Sequence, residues 1–211
     1  MNSVADWKKE LDKNSRLKRG PEKTMLIASL IAEALQSISQ DPILVGGAAV
    51  EFYTRGKYST ADIDMVTEGG KELVDLMLKL GFEKNGKDFV DRKREIYIEF
   101  PGSRLGSGEK VILVEVGKRK LRIISIEDLI VDRLCAYKFW QSGIDGVNAL
   151  LLLEQLDMDQ TRLLERCLQE DVADALDLVQ KIKKEAIRKK MMPQKVSDLL
   201  EGLKKKLKKH H

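Results

Sequence analysis

Histidine is almost missing from this chain: both copies, His210 and His211, stand at its extreme end, as the remnant of a purification tag would. Histidine catalysis and histidine-ligated zinc are thereby set aside. Cysteine is nearly as scarce. Cys135 and Cys167 lie in stretches with helical patterning and without metal-ligand spacing, as expected of reduced, packed thiols. Aromatic residues make up only 5% of the chain. No apolar run approaches the ~20 residues a membrane-spanning helix needs, and the first ten residues are polar and charged rather than signal-like. The expected location is the cytoplasm, with no membrane partner.

What is present is charge: 34% of the 211 residues are Asp, Glu, Lys or Arg, with a net charge of +4. The length suffices for one good core or for a catalytic domain with a small helical appendage. The positive excess is uneven. From Lys181 to Lys209 lysines are dense, ending Lys204-Lys205-Lys206-Leu207-Lys208-Lys209. Such a run could contact nucleic acid by neutralising phosphates. Without interleaved aromatics as a stacking platform, it reads first as a solvated terminal helix.

The chain is organised around Ile43 to Val66. Ile43-Leu44-Val45 has the length of a buried strand, Gly46-Gly47 breaks it, and Ala48 to Tyr53 reads as a short helix directly after the glycines. A glycine turn between strand and helix admits a ligand close to the backbone and points N–H groups at an anion such as phosphate. Thr60 to Thr67 alternates polar with apolar. As a strand it places Asp62 and Asp64 on one face and Ile63 and Met65 on the other. Paired carboxylates of this kind suit Mg²⁺, which takes oxygen ligands, water and substrate phosphate. The plainer reading is two solvated aspartates on an exposed strand, and the Gly-Gly turn and helix upstream argue against it.

Leu44-Val45-Gly46-Gly47, followed after a short helix by Thr60-Ala61-Asp62-Ile63-Asp64, resembles the signature of the nucleotidyltransferase superfamily that includes DNA polymerase beta. The likeness is to its small bacterial and archaeal members, some of them in toxin–antitoxin systems, and it extends from about Ile43 to Leu134. It implies an α+β fold: a mixed sheet with flanking helices, followed by a helical C-terminal part. It implies glycines that cradle a nucleoside triphosphate, here Gly46 and Gly47 with Thr60 beside them. It implies three carboxylates that hold Mg²⁺ or Mn²⁺. The expected activity moves a nucleoside monophosphate from an NTP such as ATP to the hydroxyl of an acceptor, whether RNA, protein or small molecule. The alternative is a non-catalytic or toxin–antitoxin regulatory protein on the same fold. Many members have Gly-Ser where this chain has Gly46-Gly47, so a side-chain hydroxyl on the phosphates is missing.

Around this stretch the periodicity predicts helices over Val4 to Leu11 and Pro21 to Ser39, with a basic linker at Asn14 to Gly20 between them. A further helix is expected over Lys71 to Leu80, closed by Gly81. Strands are expected at Phe89 to Arg92, Ile96 to Phe100, Val111 to Val116 and Leu121 to Ile124, the last two joined by a turn at Gly117 to Lys120. In the second of these, Ile96, Ile98 and Phe100 share the core face and leave Tyr97 and Glu99 on the other. Glu99 is therefore the choice for the third carboxylate. Glu115 is the rival, weakened because Val111 and Leu113 on its own face suggest burial. Gly102 to Lys110 reads as a loop at the mouth of the site, with Arg104 or Lys110 as phosphate contacts.

Residues 1–124 are expected to form the nucleotidyltransferase-like core with its N-terminal helices, and 125–211 a helical region packed on it. Ser125 should cap a helix running to Trp140. From the resemblance, a basic residue of that helix reaches the nucleotide, and Arg133 and Lys138 are the candidates. Helices then follow over Val147 to Leu156, Gln160 to Gln169, Val172 to Lys190 and Val196 to Lys209, broken at Pro193.

Overall fold

A computed structural model of the chain describes residues 2–207 and divides it into two compact units, one ending at Ser125 and one beginning at Ile126. The first unit opens with α1 (Val4–Ser15) and α2 (Pro21–Gln36) and continues through β1 (Ile43–Val45), α3 (Gly46–Tyr53), β2 (Asp62–Val66) and α4 (Lys71–Leu80). It closes with β3 (Glu83–Asn85), β4 (Asp88–Asp91), β5 (Ile96–Glu99), β6 (Val111–Val116) and β7 (Arg119–Ile124). The strands form one sheet in the order β3-β4-β5-β2-β1-β7-β6. β2 runs parallel to β5 and β1 parallel to β7, and the other pairs are antiparallel. The fold is α+β.

Alternation fixes which face is buried. Ile63, Met65, Phe89, Ile96, Ile98, Leu121 and Ile123 are all buried. α2 packs on β7 and against α1 and α4, with Leu30, Ile31, Ala34 and Leu35 fully enclosed. Each such side chain contributes roughly 1.5–3 kcal/mol of burial. Arg94, in the turn between β4 and β5, pins the layers together. It donates to Asp12 of α1 (2.7 Å), to the carbonyl of Leu80 at the end of α4 (3.2 Å) and to the buried carboxylate of Asp91.

Several boundaries differ from expectation. α1 runs on into the supposed linker as far as Ser15, because a Ser3–Asp6 capping box secures its start and Leu11 and Asn14 are buried near its end. α2 stops at Gln36, and Ser39 takes a left-handed φ of 61°. α3 begins at Gly46, so the glycines are its first residues rather than a break before it. β2 begins at Asp62, two residues later than the alternation suggested. β3 was not expected; its three residues are all exposed, so no apolar pattern marks it. β7 starts at Arg119, leaving only Gly117 and Lys118 as the turn. α4 and its left-handed Gly81 cap match expectation.

The second unit contains α5 (Ile126–Phe139), α6 (Gly143–Leu152), α7 (Gln160–Gln169), α8 (Ala173–Lys189) and α9 (Pro193–Leu207). α6 begins four residues before Val147. Gly146 lies inside it because a Cβ there would stand 2.7 Å from the Tyr137 ring. The Tyr137 hydroxyl donates to the Leu200 carbonyl at 2.7 Å. Asp128, fully enclosed, accepts from Arg166 (2.9 Å) and from Arg162. Pro193 does not break the last helix but starts it, since the first turn needs no proline N–H; the break falls at the left-handed Lys190. The expected helix end at Lys209, with His210 and His211, lies outside the described residues.

Candidate active site

The first feature is the junction of β1 and α3. Gly46 has φ +60°, and a Cβ on it would lie 2.7 Å from Cγ of Asp64, overlapping the carboxylate. The next N–H, from Gly47, donates to Oδ2 of Asp64 at 3.2 Å. A Cβ on Gly47 would stand 3.1 Å from Oγ1 of Thr60. Close approach thus requires glycine at 46 and leaves little room for a side chain at 47, and the approach is to the two residue types that matter here, a carboxylate and a hydroxyl. Thr60 Oγ1 also accepts from the backbone N–H of Asp62 at 3.3 Å, which leaves its own O–H to donate elsewhere.

The second feature is register. Parallel pairing of β2 with β5 sets Asp62 opposite Tyr97 and Asp64 opposite Glu99. Antiparallel pairing of β5 with β4 sets Glu99 opposite Asp88. Asp64, Glu99 and Asp88 thus form a row across three neighbouring strands, on the face opposite the buried isoleucines, with Asp62 one pleat away. Asp62 is exposed, while Asp64 and Glu99 are half-buried.

Crowded carboxylates need a cation, and the chain supplies one. Lys87 forms an ion pair with Glu99. Its ammonium is pushed above its ordinary 10.5 by that hydrogen bond and by the charges of Glu99, Asp88 and Asp64. Lys87 and Asp88 were not singled out in the sequence. The signal for Asp88 was its place two residues before Val90 in a strand whose Phe89 faces the core.

Among the described residues no three His, Cys, Asp or Glu side chains converge closely enough to hold a metal ion by themselves. Glu99 is turned to Lys87 and Asp64 to Gly47. The donors are all oxygen, as Mg²⁺ and Mn²⁺ prefer, and an ammonium already stands in as the compensating cation, so the set fits a metal that also draws ligands from substrate phosphates. Two clefts open beside it. One of about 310 Å³ is lined by Arg19, Lys23, Thr24, Thr60, Asp62 and Tyr97 among others. A smaller one of about 120 Å³ is lined by Asp62, Asp88, Tyr97 and Glu99.

The remaining candidates lie on other elements. Glu115 projects from β6, the last strand of the sheet, and Leu113 on the same face is 59% exposed, so the burial expected there is not found. Arg104 and Lys110 lie exposed in the segment between β5 and β6. Arg133 and Lys138 belong to α5 of the helical unit. Arg133 pairs with Asp132 and with Asp145 (2.8 Å). Lys138 is buried between Asp171 (3.2 Å) and Asp174 (3.0 Å); burial alone would lower its pKa, but those carboxylates outweigh it and raise it.

Residues 24–196 match the sequence model of a family described as "Nucleotidyltransferase of unknown function (DUF6036)". No curated protein matches. Among solved structures the chain is similar to the crystal structure of an antigenic nucleotidyltransferase-like protein from Paracoccidioides brasiliensis. The identity is 17%, with a TM-score of 0.50, over 74% of this chain and 89% of that one. At that identity the likeness concerns the fold alone. With the Gly46–Asp64 contact and the Asp64–Glu99 register in place, and with the family match spanning most of the chain, the chain belongs to this family of nucleotidyltransferases of unknown function.

Proposed function

We propose that the chain is a Mg²⁺- or Mn²⁺-dependent nucleotidyltransferase that transfers a nucleoside monophosphate from an NTP to an acceptor hydroxyl. The observation that carries this reading is the placement of Asp64, which lies opposite Glu99 in register and directly against the Gly46–Gly47 turn. One side chain is thereby shared between a carboxylate row and a backbone suited to phosphate.

In this reading Gly46 and Gly47 hold the triphosphate at the start of α3, where N–H groups and the helix dipole favour negative charge. Thr60 donates its hydroxyl beside Gly47, in the place where a Gly-Ser signature would put a serine side chain. Asp62, Asp64 and Glu99 would hold the divalent ion, which when bound supplies neutralisation of phosphate charge and activation of the acceptor hydroxyl. The acceptor oxygen bonds to the α-phosphorus, the bond to the β-phosphate oxygen breaks, and pyrophosphate leaves. The hydroxyl proton passes to a carboxylate of the row. Positioning and electrostatics supply the rate.

The test is to incubate the protein with each α-labelled NTP, Mg²⁺ or Mn²⁺, and cell lysate. A macromolecule that becomes labelled by the wild type and not by Asp62→Asn/Asp64→Asn supports the reading. Equal labelling by both proteins refutes the site.

A further inference from the structure

The cleft of about 310 Å³ beside Asp62 shares only Thr60 and Asp62 with the nucleotide reading above, and the rest of its lining has a definite chemistry. In the sheet order β5-β2-β1, Asp62 on β2 lies between Tyr97 on β5 and the glycine turn that follows β1. The cleft meets the triphosphate turn at Thr60 and extends past Asp62 to Tyr97 and Glu95 on the side away from that turn. Phosphoryl transfer requires attacking and leaving oxygens roughly in line. If pyrophosphate departs over Gly46–Gly47, the acceptor must enter from the β5 side, where the cleft reaches Glu95 and Tyr97.

Three features of the cleft specify the acceptor. Tyr97 is 38% exposed in a chain poor in aromatics, and it stands beside Asp62 on the site face. Arg19 and Lys23 supply two cations. Lys23 is anchored by donating to the carbonyl of Ser15 at 2.6 Å, and Arg19 is exposed at the rim. Around them the surface continues basic. Arg16 and Lys18 precede Arg19, and Gly56 packs on the Pro21 ring, which brings the turn containing Arg55 and Lys57 beside the start of α2. The acids of the lining are Asp62, which belongs to the metal-binding set, and Glu95. An aromatic face at the reacting end with cations leading away from it is the arrangement that binds single-stranded nucleic acid.

Resting on the nucleotidyltransferase reading, we propose that this cleft is the acceptor subsite and that it takes the end of a single nucleic-acid strand. The terminal base stacks on Tyr97 and its phosphates lie on Arg19 and Lys23. Nucleic-acid contact is thereby assigned to the α1–α2 junction of the first unit rather than to the C-terminal lysines.

The test measures fluorescence anisotropy of a 5′-fluorescein-labelled single-stranded RNA hexamer on the full chain, without NTP, over a series of salt concentrations. Arg19→Gln/Lys23→Gln should weaken binding and reduce the salt slope by roughly 1.4, two phosphate contacts at about 0.7 each. Arg19→Gln alone, at an exposed position that cannot unfold the chain, should reduce it by about half that. Tyr97→Ala should cost roughly tenfold in affinity, and Tyr97→Phe, which keeps the ring, should not. Removing residues from Lys204 onward should leave the slope in place. Overturning results are absence of wild-type binding at low salt, wild-type slopes in both Arg19 variants, or loss of binding only on truncation.

Thermal shift by NTP with Mg²⁺, measured on the same proteins, separates this proposal from the reading it rests on. A nucleotide shift that persists in Arg19→Gln/Lys23→Gln while RNA binding falls supports both. A shift lost in that variant with RNA binding intact makes the cleft a nucleotide subsite and refutes the acceptor assignment. RNA binding that depends on Arg19 in a protein indifferent to every NTP keeps the RNA site and refutes the transferase reading.

Discussion

Gly46 and Asp64 touch so closely that no side chain fits between them: a Cβ on Gly46 would stand 2.7 Å from Cγ of Asp64, at a backbone φ of +60°. Gly69, at φ +78° with nothing within 4 Å of its virtual Cβ, separates the two components of that relationship. Gly69→Ala incurs backbone strain alone, on the order of 1 kcal/mol. Gly46→Ala adds the displacement of a carboxylate and should cost about 1–3 kcal/mol or more. Urea unfolding of the two variants checks this. Equal midpoints would mean that the close approach is not a constraint.

Lys87 competes with a metal ion for the carboxylate row, because its ammonium pairs with Glu99 and interacts with Asp88 and Asp64. Lys87→Met should bind Mn²⁺ several-fold more tightly than the wild type, measured by loss of the free-ion electron paramagnetic resonance signal, and Lys87→Arg should not. The Lys87 pKa lies above 10.5, so the competitor stays charged and the difference should persist throughout the neutral range. Weaker Mn²⁺ binding by Lys87→Met would instead make the lysine a support for the site.

Much of this site was legible because its constraints are periodic and local. A period of two in Asp62–Val66 and Ile96–Glu99 sorts Asp62, Asp64 and Glu99 away from the isoleucines, and that sorting does not depend on which strands are neighbours. Pairing is different. Nothing in residues 83–91 says that Asp88 will face Glu99, because that follows from the register of β4 against β5, which alternation within either strand does not set. The same limit explains Leu113: a run of apolar residues suggests burial on both faces, yet as the last strand of the sheet β6 leaves it open. Lys138 shows the helical version. Spacing put it on α5, but its carboxylate partners lie 33 and 36 residues away in sequence.

Stability should fall in alkali. Burial, the largest cause in each case, pushes Cys135 up to about 11, Cys167 up to about 12 and Tyr137 up to about 12, against ordinary values of 9.0 for the thiols and 10.0 for the phenol. The sign follows from which state holds the protons. Above the ordinary values the unfolded chain loses protons that the folded chain keeps, so folding becomes less favourable as pH rises. Each group takes away up to about 1.4 kcal/mol per pH unit within its window. The loss should begin near pH 9 and be complete near pH 12. Urea unfolding across that range checks it, and Cys167→Ala should shallow the decline. A flat profile would place the thiols in water.

The most direct measurement is the melting temperature of the wild type and of Asp62→Asn/Asp64→Asn, each with Mg²⁺ and each NTP in turn. A ligand that binds only the folded site stabilises by about 2.7 kcal/mol at one hundred times its dissociation constant. For a chain of this size that is roughly 5–10 °C. The expected result is such a rise for at least one NTP in the wild type and none in the double variant, with Mg²⁺ alone doing little because the phosphates complete the coordination. A wild-type melting curve indifferent to every NTP with Mg²⁺, or an equal rise in both proteins, would contradict the assignment of Asp62 and Asp64 to a metal–nucleotide site.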